Sequence, residues 1–220
     1  MNTTTKKRGL LEGLVSAALF GAATPLAKDL LIGLSPLVLA GLFYLGAAAV
    51  LAPFVIRQQL QGGRTSIPTD TKNRLYLLGA ILFGGVLGPV LLLSGLVTAR
   101  AASVSMLLNL ETTATAVLAF VFFREHLGRW TWLGNVGVLA AGLLLSIEGG
   151  QPGMLGGLLV ASAAVCWGLD NNLTALIDGI TPTQSTFWKG LIAGTMNLSL
   201  GLCLDPVSPS LVWLAALVIG

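Results

Sequence analysis

Charge is what this sequence has least of. Lys, Arg, Asp and Glu make up 10% of its 220 residues, against about 25% in a soluble domain. Apolar residues fill 55% of the chain and come in long blocks, with a mean hydropathy of +0.87. A chain this poor in charge is read as an all-α integral membrane protein. Histidine occurs once, at His126, with no ligand partner near it in sequence. The two cysteines, Cys166 and Cys203, lie in apolar runs and form no CxxC. No zinc site, disulfide, metal or cofactor is therefore expected. A net charge of +3 is too small to indicate nucleic acid. An intramembrane protease needs a Ser–His pair or two matched aspartates. There is no GxSxG, the one histidine sits at a span end, and Asp170 has no second mid-span aspartate, so no enzyme is expected.

What is present is a series of apolar runs. Their limits are 10–34, 37–56, 75–97, 101–123, 130–147, 153–177 and 184–203, and 211–220 opens another. A spanning helix needs about 20 residues, so these are seven spans and the start of an eighth. Lys6, Lys7 and Arg8 precede the first run as in a signal peptide, but that run exceeds an ordinary h-region and reads as an uncleaved span. The sequons at Asn172 and Asn197 fall inside apolar runs and are discounted. Turns punctuate the runs at "GLSP" (33–36), "QGGRTSIPTD" (61–70), "EGGQPG" (148–153) and "GITP" (179–182).

Basic residues set the orientation. Lys6, Lys7, Arg8, Arg57, Arg64, Lys72, Arg74, Arg124 and Arg129 all fall on one side, against Lys28 and Arg100 on the other. The positive-inside rule puts the first side, and the N-terminus, in the cytoplasm. The chain also repeats itself. "SAALFGAATPLAK" (16–28) resembles "AAVCWGLDNNLTA" (163–175), with Phe20-Gly21 facing Trp167-Gly168 at an offset of 147 residues. "GLSP" and "GITP" match at nearly the same offset. An odd number of spans per unit makes the second copy inverted, as in many transporters. The units are 8–148 and 153–220, the second incomplete. Extending it to match the first predicts a full chain of about 294 residues.

A charged side chain at the bilayer centre costs about 2.5–3.5 kcal/mol on insertion scales, so it faces protein or a watered cavity and finds a partner. Glu111, Asp170 and Lys189 are in that position. Glu111 lies in "LLNLETTATA" with Asn109 close by, and is a candidate to bind a cation, a substrate amine or a proton; the alternatives are a structural pair with Lys189 or a protonated acid hydrogen-bonded to a neighbouring helix. Trp167, Asp170, Asn171 and Thr174 fall on one face at helical spacing, a candidate substrate wall. Lys189 either snorkels to the interface or turns inward to neutralise Glu111 or Asp170, with Ser185 and Asn197 on its side of the helix. "GAILFGGVLGP" (79–89) combines a Gly84–Gly88 GxxxG step with Pro89, and reads as close helix packing or local unwinding.

These features resemble the drug/metabolite transporter superfamily in its EamA-type branch. The resemblance is carried by "ALFGAATPLAK", by the "SP" opening the second span, by "LLNLETTATAVLAFVFFREHL" and "WLGNVGVLAAGLLLS", and by "CWGLDNN" and "TPTQSTFWKG". It implies ten helices in two inverted five-helix units, a central cavity and alternating access. It implies cargoes such as amino acids, other metabolites, nucleotide sugars or drugs, often moved outward. Glu125 matches the family's glutamate at the end of the fourth helix. Lys28 matches a basic residue after the proline of the first. The reading is a secondary transporter of small metabolites or drugs in the cell inner membrane, with Glu111, Asp170, Lys189, Asn171, Trp167 and Asn109 as substrate- or ion-binding residues. Its expected partners are a small-molecule substrate, the lipid bilayer, a coupling proton and a second copy of the chain. The competing reading is a non-transporting membrane scaffold or subunit; a channel is a lesser alternative.

Overall fold

The computed structural model describes residues 3–61, 67–68, 70–124, 126–148, 150–206 and 208–220. Among these the chain is 85% helical, without strands, and is an all-α polytopic membrane protein. In order the helices are α1 (Thr3–Leu30), α2 (Pro36–Leu60), α3 (Thr71–Ala80), a π-helical turn (Ile81–Leu87), α4 (Gly88–Thr98), α5 (Ala101–Leu107), α6 (Leu110–Phe123), α7 (Arg129–Glu148), α8 (Gly150–Ala175), α9 (Pro182–Leu204) and α10 (Leu211–Ile219). The α3–π–α4 unit forms one span, Thr71–Thr98, and α5 with α6 forms another, Ala101–Phe123. With α1, α2 and α8 these make five stretches long and apolar enough to cross a bilayer. Helix α9 is as long as several of these at 23 residues, but carries Gln184, Ser185, Lys189 and Asn197. The first span ends earlier than the apolar run suggests. Leu30 is its last helical residue, and the backbone turns through Gly33 before Ser35.

Local chemistry explains where the helices begin. The Ser35 hydroxyl accepts from the Val38 N–H, and Pro36 occupies the first helical position. At α9 the pattern recurs more fully. Thr181 and Gln184 form a reciprocal capping box and Pro182 stands at N1. The two "GxxP" turns of the sequence are thus the two N-caps of α2 and α9. Helix α3 starts on Asp70, whose carboxylate accepts from Asn73 N at 2.9 Å and Asn73 Nδ2 at 2.7 Å. Those bonds hold the exposed Asp70 carboxyl below the usual carboxylate range.

Packing follows from small residues. Helices α2 and α9 lie along one another through Gly41, Gly190, Gly194 and Gly201. A Cβ on Gly194 would come within 2.9 Å of the Leu45 nitrogen, so only glycine permits this approach. Helix α8 lies against α4, α6 and the π-turn. Leu39, Leu42, Leu93, Leu96, Val104 and Val160 are fully buried between these helices. Leu10, Leu11, Leu14 and Val15 of α1, and Leu133, Val136, Leu139, Leu143 and Leu144 of α7, face outward. A continuous apolar exterior of this kind is suited to lipid rather than water.

Candidate functional site: a buried ion pair beside a glycine-lined turn

The span carrying the π-turn is irregular for a reason legible in its covalent structure. In the π-turn the Gly88 N–H bonds the Phe83 carbonyl, one residue further back than in an α-helix. The next nitrogen is Pro89, which has no hydrogen to give. Gly84 and Gly85 therefore lose backbone donors for their carbonyls in the middle of the apolar span, where bare polar groups are costly. Side chains from three other helices fill the gap. Tyr44 of α2 donates its hydroxyl to Gly84 O at 2.6 Å, and Trp167 of α8 donates Nε1 to the same oxygen at 3.0 Å. Asn197 of α9 donates to Gly85 O at 3.0 Å.

The lack of a side chain at Gly84 serves a second purpose. A Cβ there would fall inside the carboxylate of Asp170. Asp170 occupies that space and meets Lys189 of α9, whose Nζ lies 2.6 Å from Oδ1 and 2.7 Å from Oδ2. The Thr174 hydroxyl, one turn along α8, donates to Asp170 Oδ1 at 2.9 Å. The two charged side chains are 9% and 15% exposed. Lys189 thus turns inward, and its partner is Asp170 rather than Glu111.

Glu111 belongs to a second polar cluster, gathered around Asn171 of α8. The fourth span breaks at Leu108–Asn109 just before it, where Glu111 N bonds Leu108 O instead of continuing the α-helical ladder. Asn171 Nδ2 reaches across to Glu111 Oε1 at 3.0 Å and to Thr115 Oγ1 at 3.1 Å. The neighbouring Asn172 ties the same helices, donating to Thr115 O at 3.1 Å and Gly168 O at 2.7 Å. Asn171 therefore faces α6, while Trp167, Asp170 and Thr174 face the π-turn and α9. The four residues do not form a single wall. Asn109 stands apart: it is exposed, and its amide donates locally to Met106 O at 2.9 Å.

A cavity of about 610 Å³ opens against the ion pair. Phe20, Phe43, Tyr44, Trp167, Asp170 and Lys189 are among its lining residues. Phe20 and Trp167, the aromatic pair matched by the internal repeat, both face this one space. Tyr44 and the Gly84 carbonyl do not stand out in the sequence. The available signal is the spacing of Gly84-Gly85 ahead of Pro89, which strands carbonyls in need of donors. Lys28 closes the far end of α4 in a comparable way. Its Nζ bonds the carbonyls of Leu96, of Val97 at 3.0 Å and of Ala99 at 3.1 Å, capping the helix with a cation. Glu125 lies outside the described residues.

The profile of the EamA-like transporter family matches residues 7–147. The chain belongs to the EamA-like transporter family. This EamA-like chain is also 27% identical over 186 residues to a protein of Methanothermobacter thermautotrophicus named as an uncharacterized transporter. The match covers 77% of the EamA-like chain and 54% of the relative, so the chain spans about half the length of that protein.

Proposed function

We propose that this chain forms the solute-binding body of a membrane transporter that moves a small molecule, outward from the cell, by alternating access. One observation carries the reading: a cavity large enough for a small solute opens onto a charged pair held inside the membrane-spanning bundle. Intramembrane charges mark solute and ion paths more often than they serve stability. Two interrupted spans border the polar residues, as at the substrate sites of many secondary carriers. The family match and the transporter relative support the same class. In the mechanism, solute enters between the aromatic side chains, engages the Asp170–Lys189 region, and is released when the helices re-pack to face the other side. Glu111, bonded to Asn171 of α8, takes and releases the coupling proton, and Asn171 reports its charge state to the same helix.

The test is flux in proteoliposomes with and without an imposed pH gradient. Replacing Glu111 with Gln keeps the hydrogen bond to Asn171 but fixes the group neutral. Transport should persist and lose its response to the gradient. Gradient-driven flux unchanged in Glu111→Gln would remove the proton role while leaving the carrier reading in place. Absence of any flux in the parent protein, across a broad solute panel, would overturn transport itself.

A further inference from the structure

We infer that Lys28 is a latch that shuts one end of the cavity, and that its release from the C-terminus of α4 is the step that opens that end. The purpose of the latch rests on the alternating-access reading; its existence does not.

The turns before α2 and α9 mark the two ends of the bundle. Lys28 lies close to the Ser35 turn. The Thr181 turn meets the other end of α2, where its hydroxyl bonds Gln58 Oε1 at 3.4 Å. Helices α1 and α4 each form part of the cavity wall. Thr24 and Ala27 line it from α1, and Leu92 and Leu93 from α4. One turn beyond Thr24 and Leu93 come Lys28 and Leu96. There the two walls are tied together. The Lys28 ammonium bonds the Leu96 carbonyl, the Val97 carbonyl at 3.0 Å and the Ala99 carbonyl at 3.1 Å. Thr24, Ala27 and Leu93 are all buried, so the tie coincides with a closed end.

The chemistry of the tie makes it strong. An ammonium has three hydrogens, and each finds an acceptor here. Those acceptors stand at the end of α4, where a helix leaves carbonyls unpaired and carries partial negative charge. Bonds from an ionised donor are about twice as strong as neutral ones. Helix α1 cannot part from α4 while they hold. Two polar ties at the Thr181 end are of another kind. The Thr181 hydroxyl meets Gln58, and the Asp178 backbone N–H donates to Asn73 Oδ1 at 3.1 Å. Both join neutral groups exposed to solvent, and water can replace them. Pro25 sits just before the latch and has no N–H for the Gly21 carbonyl. Helix α1 can bend there while its latched end stays in place. In the transport cycle, the Ser35 end therefore stays shut until Lys28 lets go.

The experiment is thiol labelling of the purified chain in lipid nanodiscs, where a reagent reaches both ends. Cys166 and Cys203 are first replaced by Ser. A single cysteine is then introduced by Thr24→Cys, inside the latched end, or by Val55→Cys, buried toward the other end of α2. The rate of reaction with a charged methanethiosulfonate is measured for each. Adding Lys28→Met should speed labelling at position 24 by at least about fivefold, because the open population rises. Labelling at position 55 should stay within about twofold of its rate with Lys28 present. A merely structural Lys28 would loosen the whole bundle and speed both sites, or would leave position 24 unmoved. Either result overturns the latch. If Lys28→Met does not fold, Lys28→Gln leaves an uncharged donor near the carbonyls. It should still speed position 24 alone, by about twofold or more; equal rates overturn the latch. Flux assays separate this inference from the transport reading. Faster labelling at position 24 with no flux of any solute removes transport and keeps the latch. Flux in the parent protein, with position 24 unmoved by Lys28→Met, removes the latch and keeps transport.

Discussion

Gly84 is the residue on which the site depends most narrowly. Its missing side chain makes room for the Asp170 carboxylate, and its carbonyl anchors Tyr44 and Trp167. Gly84→Ala must displace the carboxylate or the π-turn, an overpacking change worth about 1–3 kcal/mol. Gly21 provides the contrast, since nothing lies within 4 Å of a Cβ built there. Gly21→Ala should be neutral or favourable by up to about 1 kcal/mol, the ordinary helix preference. Thermal unfolding in detergent, monitored by tryptophan fluorescence, compares the two; equal effects would contradict the packing described. The ion pair makes a second prediction at this scale. Asp170→Asn and Lys189→Met should each destabilise by about 3–5 kcal/mol by leaving a buried charge alone, while the double variant should recover most of that loss. Additive losses in the cycle would mean the two groups do not interact. Asp170 and Lys189 were both readable from sequence, because charge inside an apolar run is conspicuous. Which acid Lys189 would choose was not readable. Its choice depends on Gly84, a residue on another helix whose contribution is an absence.

At the scale of the elements, the π-turn decides the geometry. It exists because Pro89 cannot donate, and it is tolerated because Tyr44, Trp167 and Asn197 donate instead. Pro89→Ala restores an N–H within reach of the Gly84 and Gly85 carbonyls, so the Tyr44 hydroxyl becomes less necessary. Tyr44→Phe should cost about 1 kcal/mol or more in the parent and distinctly less in the Pro89→Ala background. Unfolding midpoints of the two single variants and the double give this coupling, and equal costs in both backgrounds would argue against the carbonyl account. The sequence announced an irregularity here through its glycines and proline, but left packing and unwinding as alternatives. The structure contains both: glycines in close contact and a widened turn. The break before Glu111 had no comparable warning. Asn109 is a tolerable helix residue, and the shift of the ladder there, from Met106 O to Leu108 O, is seen only in the structure.

For the whole molecule, the apolar exterior and the distribution of basic residues make a prediction about orientation. With Cys166 and Cys203 replaced by Ser, a membrane-impermeant thiol reagent should label a cysteine placed at Pro68, between the basic ends of α2 and α3, only after the cytoplasmic face is opened. A cysteine at Gly33, on the opposite side, should be labelled in intact cells. The reverse pattern would overturn the orientation drawn from charge. Helical class and the limits of most spans were legible, because an apolar run of membrane length has little choice but to cross as a helix. Two pairs of positions that the sequence aligns as a repeat have counterparts in the structure. Ser35-Pro36 and Thr181-Pro182 start the two helices that pack most extensively, and Phe20 and Trp167 face one cavity. Tertiary choices between helices were not legible, because small residues along α2, α8 and α9 admit several packings by composition alone.

The matched pair in the cavity has an electrical consequence. A single charge carried across a membrane feels about 2.3 kcal/mol for every 100 mV. Asp170 and Lys189 together sum to nothing. If the pair moves as a unit in the transport cycle proposed above, it carries no net charge through the field, and voltage acts on that step only through other groups. In that cycle a dependence of flux on voltage would enter through the solute or through another group, such as Glu111.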